Sequence, residues 1–245
     1  MSLAWSAQLI RLSLFSTSGE AAVSNADWKL ITGLEEAETI QNIPVAGRRL
    51  TGPFSGGQLQ VAAQGGRVDV VWTAPELLAD DEGRIAVIDS WETARDKFIE
   101  ITLAWLHSIA WPVSRVACGT ILIHETQDRA EGYNRLSDLL RSVRIDPASM
   151  RDLLYRINWP VESTEMPGLK MNRITTWGVL LFRRALLTLP QGVSTQGRDQ
   201  YAVRMECDHN TDEARTEAID AARIVPIYKE LMELVSQNAE HGECP

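Results

Sequence analysis

The strongest local signal in this sequence is a β-hairpin between Leu59 and Trp72. Two segments of alternating apolar residues flank Gly65-Gly66, and paired glycines supply the positive φ angles that a two-residue turn requires. Pairing Gln64 with Arg67 places Leu59 opposite Trp72, and the apolar residues between them match across both strands. One face of the hairpin is then apolar and the other is more polar, so the chain must contain an antiparallel sheet with one buried face.

Period-two and helical spacings predict the remaining elements. A phase slip in the first strand predicts a bulge near Leu9. The segment after Pro112 is apolar on both faces, as in a central strand. Strands are predicted at 5–15, 85–88, 113–123, 153–159, 171–189 and 201–207. Helices are predicted from Asn25 or Asp27 to Gly33, and over 91–110, 128–143 and 211–237, the last with a kink or break at Pro226.

This order, β-α-β-β-β-α followed by β-α-β-β-β-α, predicts an α+β fold with a large, mostly antiparallel sheet and helices packed on one face. The two similar halves, 1–112 and 113–245, meet near Pro112, although no residue-level repeat shows a duplication. No linker composition separates the halves. We therefore expect one continuous globular unit, which a chain of 245 residues is long enough to form.

The sequence favours a reducing, cytoplasmic location. No apolar run approaches the ~18 residues of a membrane span, and the first residues lack the features of a signal peptide. The three cysteines, Cys118, Cys207 and Cys244, have no metal-ligand spacing and fit free thiols. Arginine makes up 20 of the 24 basic residues, which suggests a GC-rich bacterial genome.

Charge is distributed unevenly along the chain. The net charge of −9 argues against a general nucleic-acid coat, yet residues 111–185 hold 11 basic and 8 acidic residues, leaving −12 for the remainder. An RNA-binding hypothesis would use this basic stretch, and it predicts that Arg135, Arg141, Arg144 and Arg151 share one exposed face. The simpler interpretation is a mixed surface whose charges pair within the molecule.

Two segments resemble metal motifs only in part. Residues 208–213 begin as D-x-N-x-D, but Glu213 replaces the glycine of a calcium loop and Ile219 replaces its closing glutamate. His124-Glu125 begins a zinc motif that lacks its second histidine. The sequence therefore predicts no metal and no cofactor, and Asn210 or Thr211 is expected to cap the last helix.

A catalytic site would have to be assembled from distant residues. Cys207 with His124 or His209 could form a thiolate nucleophile and its base, with Asp208 beside them, in a hydrolase or transferase. The alternative is a buried cysteine near an exposed histidine. The serine within 52–57 matches neither a nucleophile elbow nor a phosphate loop, so that segment is expected to be a mobile connection.

The eight tryptophans are the least ordinary feature of the composition. Trp72, Trp91, Trp105 and Trp159 lie on predicted apolar faces and are expected in the core. Exposed tryptophans mark interfaces, and four less clearly placed ones are candidates for partner binding: Trp5, Trp28, Trp111 and Trp177. The leading hypothesis is a non-catalytic subunit that binds another cytosolic protein, as an adaptor, inhibitor or accessory component of a bacterial complex.

The last predicted helix combines an apolar stripe with acidic residues. Residues 206–245 carry ten acidic and three basic groups, a local charge of −7. The stripe is expected to pack on the sheet, whereas Glu230 and Glu233 are expected on the solvent side. The stripe consists of Ile224, Ile227, Leu231, Leu234 and Val235.

Overall fold

A computed structural model describes residues 3–43, 47–76, 84–188 and 192–243, without the side chains of 184–198. The elements in chain order are β1 Ser6–Ser16, α1 Asn25–Thr32, β2 Thr39–Ile43, β3 Gly47–Phe54, β4 Gly57–Gln64, β5 Arg67–Thr73, β6 Asp89–Ser90, α2 Trp91–Ser108, β7 Val113–Thr126, α3 Arg129–Leu139, β8 Leu154–Asn158, β9 Val161–Glu162, β10 Lys170–Thr188, β11 Gly192–Thr211 and α4 Ala221–His241.

All eleven described strands belong to one antiparallel sheet. Its main path runs β2-β3-β4-β5-β1-β7-β11-β10-β8, with β6 added to β1 and β9 added to β10. The β4–β5 hairpin has the predicted register, with Gln64 opposite Arg67 and Leu59 opposite Trp72. The α+β fold class with a large antiparallel sheet is confirmed.

The first strand of each predicted half lies at the centre of the sheet. β1 and β7 pair antiparallel, and β7 lies between β1 and β11, which confirms the central strand after Pro112. The β1–β7 register shifts between Ala7 and Leu9, so the predicted bulge is present. From this central pair, β5, β4, β3 and β2 extend to one side and β11, β10 and β8 to the other. The sheet is continuous across the predicted junction between halves.

The four described helices cover one face of the sheet, and on the other, more open face the segment 84–88 packs through Ile85 against Ile123 and Ala202. Helix α4 packs on β7 and β11, α2 on β1, α3 on β10 and β11, and α1 beside α2 and β3. Buried side chains such as Leu12 and Cys118 lie on the covered face, directly opposite each other across β1 and β7. On the open face, the Arg11 side chain lies across Gly119 toward Asp208, 3.5 Å away. The Arg11 side chain therefore shields Gly119 at the centre of this face.

Several predicted boundaries are wrong. Residues 208–211 belong to β11, so Asn210 and Thr211 lie in a strand, and Asp220 caps α4 instead. Residues 85–88 form no strand, and the two-residue β6 follows them at Asp89–Ser90. Strands β2 and β3 were not predicted, and 52–57 contains the tight turn between β3 and β4 rather than a mobile connection. Ser55 and Gly56 both have positive φ angles at that turn.

The caps of the other helices are mostly serine. Ser24, not Asn25, precedes α1, and its backbone N–H donates to Asp27 at 2.7 Å. The Ser90 hydroxyl accepts from the Thr93 backbone N–H at the start of α2. Satisfying these amides stabilises the first turn of each helix.

The apolar stripe of α4 is buried as predicted, and the helix is not broken at Pro226. Because this proline lies near the start of α4, its missing N–H removes only one helical hydrogen bond there. The assignment of Glu230 to solvent is wrong. Its carboxylate accepts hydrogen bonds from Ser163 Oγ and from the backbone N–H and hydroxyl of Thr164, the last two at 2.7 and 2.8 Å. Glu230 thereby fixes the loop before β10 to α4.

We expect Glu230→Ala to lower the free energy of unfolding by about 2 kcal/mol, because hydrogen bonds to a charged group contribute roughly 1.5 to 3 kcal/mol. Glu233→Ala is the matched control, since Glu233 is exposed on the same helix. Urea denaturation of both variants measures the difference. Equal midpoints would show that the loop contacts contribute no net stability.

Candidate interaction site

The β10–β11 hairpin extends beyond the neighbouring strands. These strands have 19 and 20 residues, whereas β8 pairs with β10 only as far as Gly178 and β7 pairs with β11 only as far as Tyr201. In the described part of the chain, residues 182–188 and 192–200 pair only with one another. We call these two segments the hairpin arm. The arm projects from one end of the sheet with two free strand edges.

An ion pair joins the two strands at the base of the arm. The Arg183 guanidinium donates two hydrogen bonds to the Asp199 carboxylate, at 2.7 and 2.8 Å. These bonds lower the pKa of Asp199 and raise the pKa of Arg183. Beyond this pair the sequence is rich in apolar residues, including Ala-Leu-Leu at 185–187. Two-stranded ribbons are only marginally stable in water, so an apolar arm of this kind gains stability when something covers it.

The strand next to the arm forms one edge of the sheet. β8 pairs with β10 through its inner side, and no described residue pairs with its outer side. Three large apolar side chains are exposed along this edge, with 71% of Leu154, 39% of Trp159 and 44% of Leu181 accessible. We call β8 together with Trp159 and Leu181 the β8 edge. Its free backbone groups and exposed apolar side chains are typical of a surface that accepts another strand.

Trp72, Trp91 and Trp105 are buried as predicted, whereas most of the other tryptophans are placed differently from the prediction. Trp5, Trp28 and Trp177 are buried in the core, and the Trp5 indole N–H donates to the Ala239 carbonyl at 2.8 Å. They are therefore unavailable to a partner in this structure. Trp111 is half-buried against the core. Trp159, predicted in the core, is exposed because β8 ends one residue earlier, at the edge of the sheet.

The basic residues of 111–185 do not form one surface. Arg135 pairs with Glu131 on α3 at 3.2 Å, while Arg141, Arg144 and Arg151 are exposed in the segment that follows. Others lie elsewhere, since Arg173 is buried beneath α4, Arg115 and Arg156 lie on the open face, and Arg183 lies on the arm. This scatter gives little support to an RNA surface made from the stretch as a whole.

Cys118, His209 and Arg173 occupy neighbouring register positions across β7, β11 and β10, beneath α4. Neither ring nitrogen of His209 makes a hydrogen bond of good geometry, although the Leu231 carbonyl is nearby. Burial lowers the pKa of His209 to about 3, and the positive charge of Arg173 adds to this effect. The Arg173 guanidinium donates to Asn238 Oδ1 at 2.9 Å. The cluster thus holds a neutral imidazole beside a buried cation.

The two buried cysteines near His209, Cys118 and Cys207, are poor nucleophiles. Burial raises the pKa of Cys207 to about 12 and that of Cys118 further still. Cys207 lies on the same face of β11 as His209 but two residues away, and the two make no hydrogen bond. Cys244 lies outside the described residues.

His124 and Asp208 lie apart from this pair. His124 Nδ1 is 2.9 Å from the Ala4 carbonyl oxygen, and the ring meets Trp5 edge-on. His124 is opposite Val203, six residues from His209 along β11, or roughly 20 Å at ~3.3 Å per residue. Asp208 points to the open face and pairs with Arg11. The four catalytic candidates are therefore not brought together as a nucleophile and a base.

No cluster of three or more potential metal ligands occurs among the described residues. A shallow cavity of about 360 Å³ lies between the start of β10 and the loop after β11, lined in part by Lys170, Asp212, Arg215 and Glu217. Its charges are mixed and select no ligand. None of the described helices is long and apolar enough to cross a membrane.

One signal in the sequence indicates the exposed β8 edge. Tyr155 and Ile157 define the covered face of β8, so Leu154 falls in the phase expected to be polar. A leucine in that phase, next to Arg156, is typical of an exposed apolar position. When the chain was compared with family models, curated proteins and solved structures, no match was found.

Proposed function

We propose that this chain is a non-catalytic subunit that binds another protein through the β8 edge and the hairpin arm. The observation that carries the proposal is the pairing of the arm, whose strands extend past β7 and β8 and, among the described strands, pair only with each other. Strand edges of this kind bind partners by adding main-chain hydrogen bonds, and side chains beside them select the partner.

The exposed apolar residues support the same surface. Leu154, Trp159 and Leu181 account for half of the six large apolar side chains exposed in the described residues. All three lie along β8 or the continuing edge of β10, Leu154 on the open face and the other two on the helix-covered face. Natural proteins usually protect sheet edges with charges, prolines or covering segments. An edge that combines free backbone groups with exposed leucine and tryptophan is better explained by a partner than by solvent.

The reducing interior of a bacterial cell is the location we propose for this activity. Cys118 and Cys207 are both unpaired and buried, which fits a protein that does not depend on disulfides. Neither the hydrolase nor the RNA hypothesis has a comparable observation, because the cysteine and histidine candidates are separated and the basic residues are scattered.

A photo-reactive amino acid introduced at Leu181 tests the proposal in the native host. We expect a discrete cross-linked partner from position 181 and none from Glu92, an exposed residue on α2 at the helical face. The partner should disappear when residues 183–199 are replaced by an Asn-Gly turn, which favours a tight hairpin. Equal cross-linking from both positions, or from the shortened variant, would overturn the proposal.

The shortened variant must keep the fold for this comparison to hold. The deleted segment pairs only with itself, so the melting temperature should change by no more than a few degrees, in line with ΔΔG values within about 1 kcal/mol for changes outside the core. Circular dichroism of the purified variant measures this directly.

A further inference from the structure

We infer that the partner contributes an extended segment that adds as a strand to the outer side of β8, with an acidic side chain opposite Arg156. This inference rests on the proposed function and specifies the chemistry of the partner. It follows from the register of β8, from the environment of Arg156 and from the charge pattern that self-association would create.

The register of β8 defines what an added strand would meet. Its five residues pair with β10 from Ile174 opposite Asn158 to Gly178 opposite Leu154. Leu154, Arg156 and Asn158 therefore point to the open face, in alternation with the half-buried Tyr155 and Ile157. Cross-strand neighbours on one face interact directly. An added strand thus places one side chain beside a leucine, the next beside an arginine and the third beside an asparagine.

Arg156 is the central residue of this face and its charge is not compensated. The side chain is exposed and makes no hydrogen bond or ion pair within the described structure. Its cross-strand neighbour on β10 is Thr176, and the neighbour of Thr176 on β11 is Glu206. Glu206 already forms an ion pair with Arg204 at 2.7 Å. A carboxylate on an incoming strand would therefore complete the row, and bidentate arginine–carboxylate pairs are among the stronger charged hydrogen bonds.

A second copy of this chain fits the same edge poorly. Two-fold antiparallel pairing of β8 with itself, in the register that uses all five residues, places Arg156 opposite Arg156 of the other copy. Like charges directly opposite each other destabilise a strand pair. A shifted register avoids that contact, but it leaves fewer than five residue pairs between the two β8 strands. The charge pattern therefore favours an acidic segment of a different protein.

Two synthetic peptides test the inference. Both alternate threonine and valine, and they differ only in a central glutamate or a central lysine. We expect the glutamate peptide to bind the intact protein about tenfold more tightly than the lysine peptide at low salt, as expected when an attractive cross-strand pair becomes a repulsive one. Fluorescence anisotropy of labelled peptides measures both affinities.

The variant Arg156→Glu should reverse this preference, so that the lysine peptide binds more tightly. Arg223→Glu is the matched control, because Arg223 is exposed on α4 and the same charge change there should leave the preference for glutamate intact. A preference that Arg156→Glu does not alter, or the absence of binding by either peptide, overturns the inference. A stable dimer of the intact protein that Arg156→Glu strengthens also overturns it, because β8 would then bind a second copy.

The outcomes separate the inference from the proposed function. Suppose that cross-linking from Leu181 is lost when the arm is shortened, but Arg156→Glu does not alter the peptide preference. The proposed function then stands, and the inference of an acidic added strand is refuted. Suppose instead that Arg156→Glu reverses the peptide preference but Leu181 gives no cross-linked partner. Strand addition at β8 is then supported, and the arm is not part of the docking surface.

Discussion

Replacing Leu231 by aspartate is expected to abolish folding at ambient temperature. Leu231 is fully buried at the centre of the α4 stripe, where the helix packs on β7 and β11. Truncating a buried leucine costs about 2 to 5 kcal/mol, and burying an unpaired carboxylate adds several more. This loss approaches the whole stability of a typical domain, about 5 to 15 kcal/mol. Far-ultraviolet circular dichroism and urea denaturation measure the result.

Position 233 gives the matched control on the same helix. Glu233 is exposed, and Glu233→Lys should change the free energy of unfolding by no more than ~1 kcal/mol, as for other surface charges. The three α4 positions should therefore rank Leu231, then Glu230, then Glu233 in their effect on stability. A folded Leu231→Asp variant with the wild-type midpoint would mean that α4 presents a different face to the sheet.

Acidification should destabilise the protein through His209. Its pKa is about 3 in the folded protein against an ordinary value of 6.5, so the unfolded chain binds one more proton between these pH values. The stability is therefore fully present above pH 6.5 and falls as the pH drops toward 3. The slope is about 1.4 kcal/mol per pH unit, which gives a loss of roughly 3 kcal/mol at pH 4.5.

The variant His209→Leu isolates this contribution because it removes the titrating group from the same buried position. The difference in unfolding free energy between pH 7 and pH 4.5 should be smaller in this variant than in the wild type by roughly 3 kcal/mol. His107→Gln is the control, since His107 is exposed on α2 and should leave the pH dependence unchanged. Urea denaturation at both pH values decides the matter. Parallel profiles for His209→Leu and wild type would show that the imidazole is protonated in the folded protein.

The elements that periodicity predicts well are those with one clean buried face. The β4–β5 register followed from a matched apolar pattern around two glycines, and the α4 stripe followed from helical spacing. Strand β3 lacks such a pattern because it contains Pro53 and two glycines. At Gly52, a Cβ atom would lie 3.1 Å from the Trp28 ring, so any larger residue there would require the ring to shift. That requirement depends on a contact distant in sequence.

The candidate site was predictable only in its chemistry, not in its position. The sequence suggested a protein-binding surface with exposed tryptophan, but it placed Trp159 in the core and gave Trp5, which is buried, as a candidate for that surface. Whether a strand lies at an edge or at the centre is decided by which strands pair with it. Alternation shows that residues 153–159 form a strand, and it cannot show that β8 has a neighbour on one side only.

The central position of β1 sets the order in which this protein can fold. β1 precedes every other element in the chain, yet its partner β7 begins nearly a hundred residues later, and α4, which covers β7, follows all the strands. During synthesis the edge of β1 that pairs with β7 therefore stays unpaired until residues 113–126 are made, although α2 can already pack on β1. Contacts so distant in sequence slow folding and expose apolar surface to aggregation. Efficient production of this protein should consequently depend on chaperones that hold nascent strands, more than on the intrinsic stability of the finished sheet.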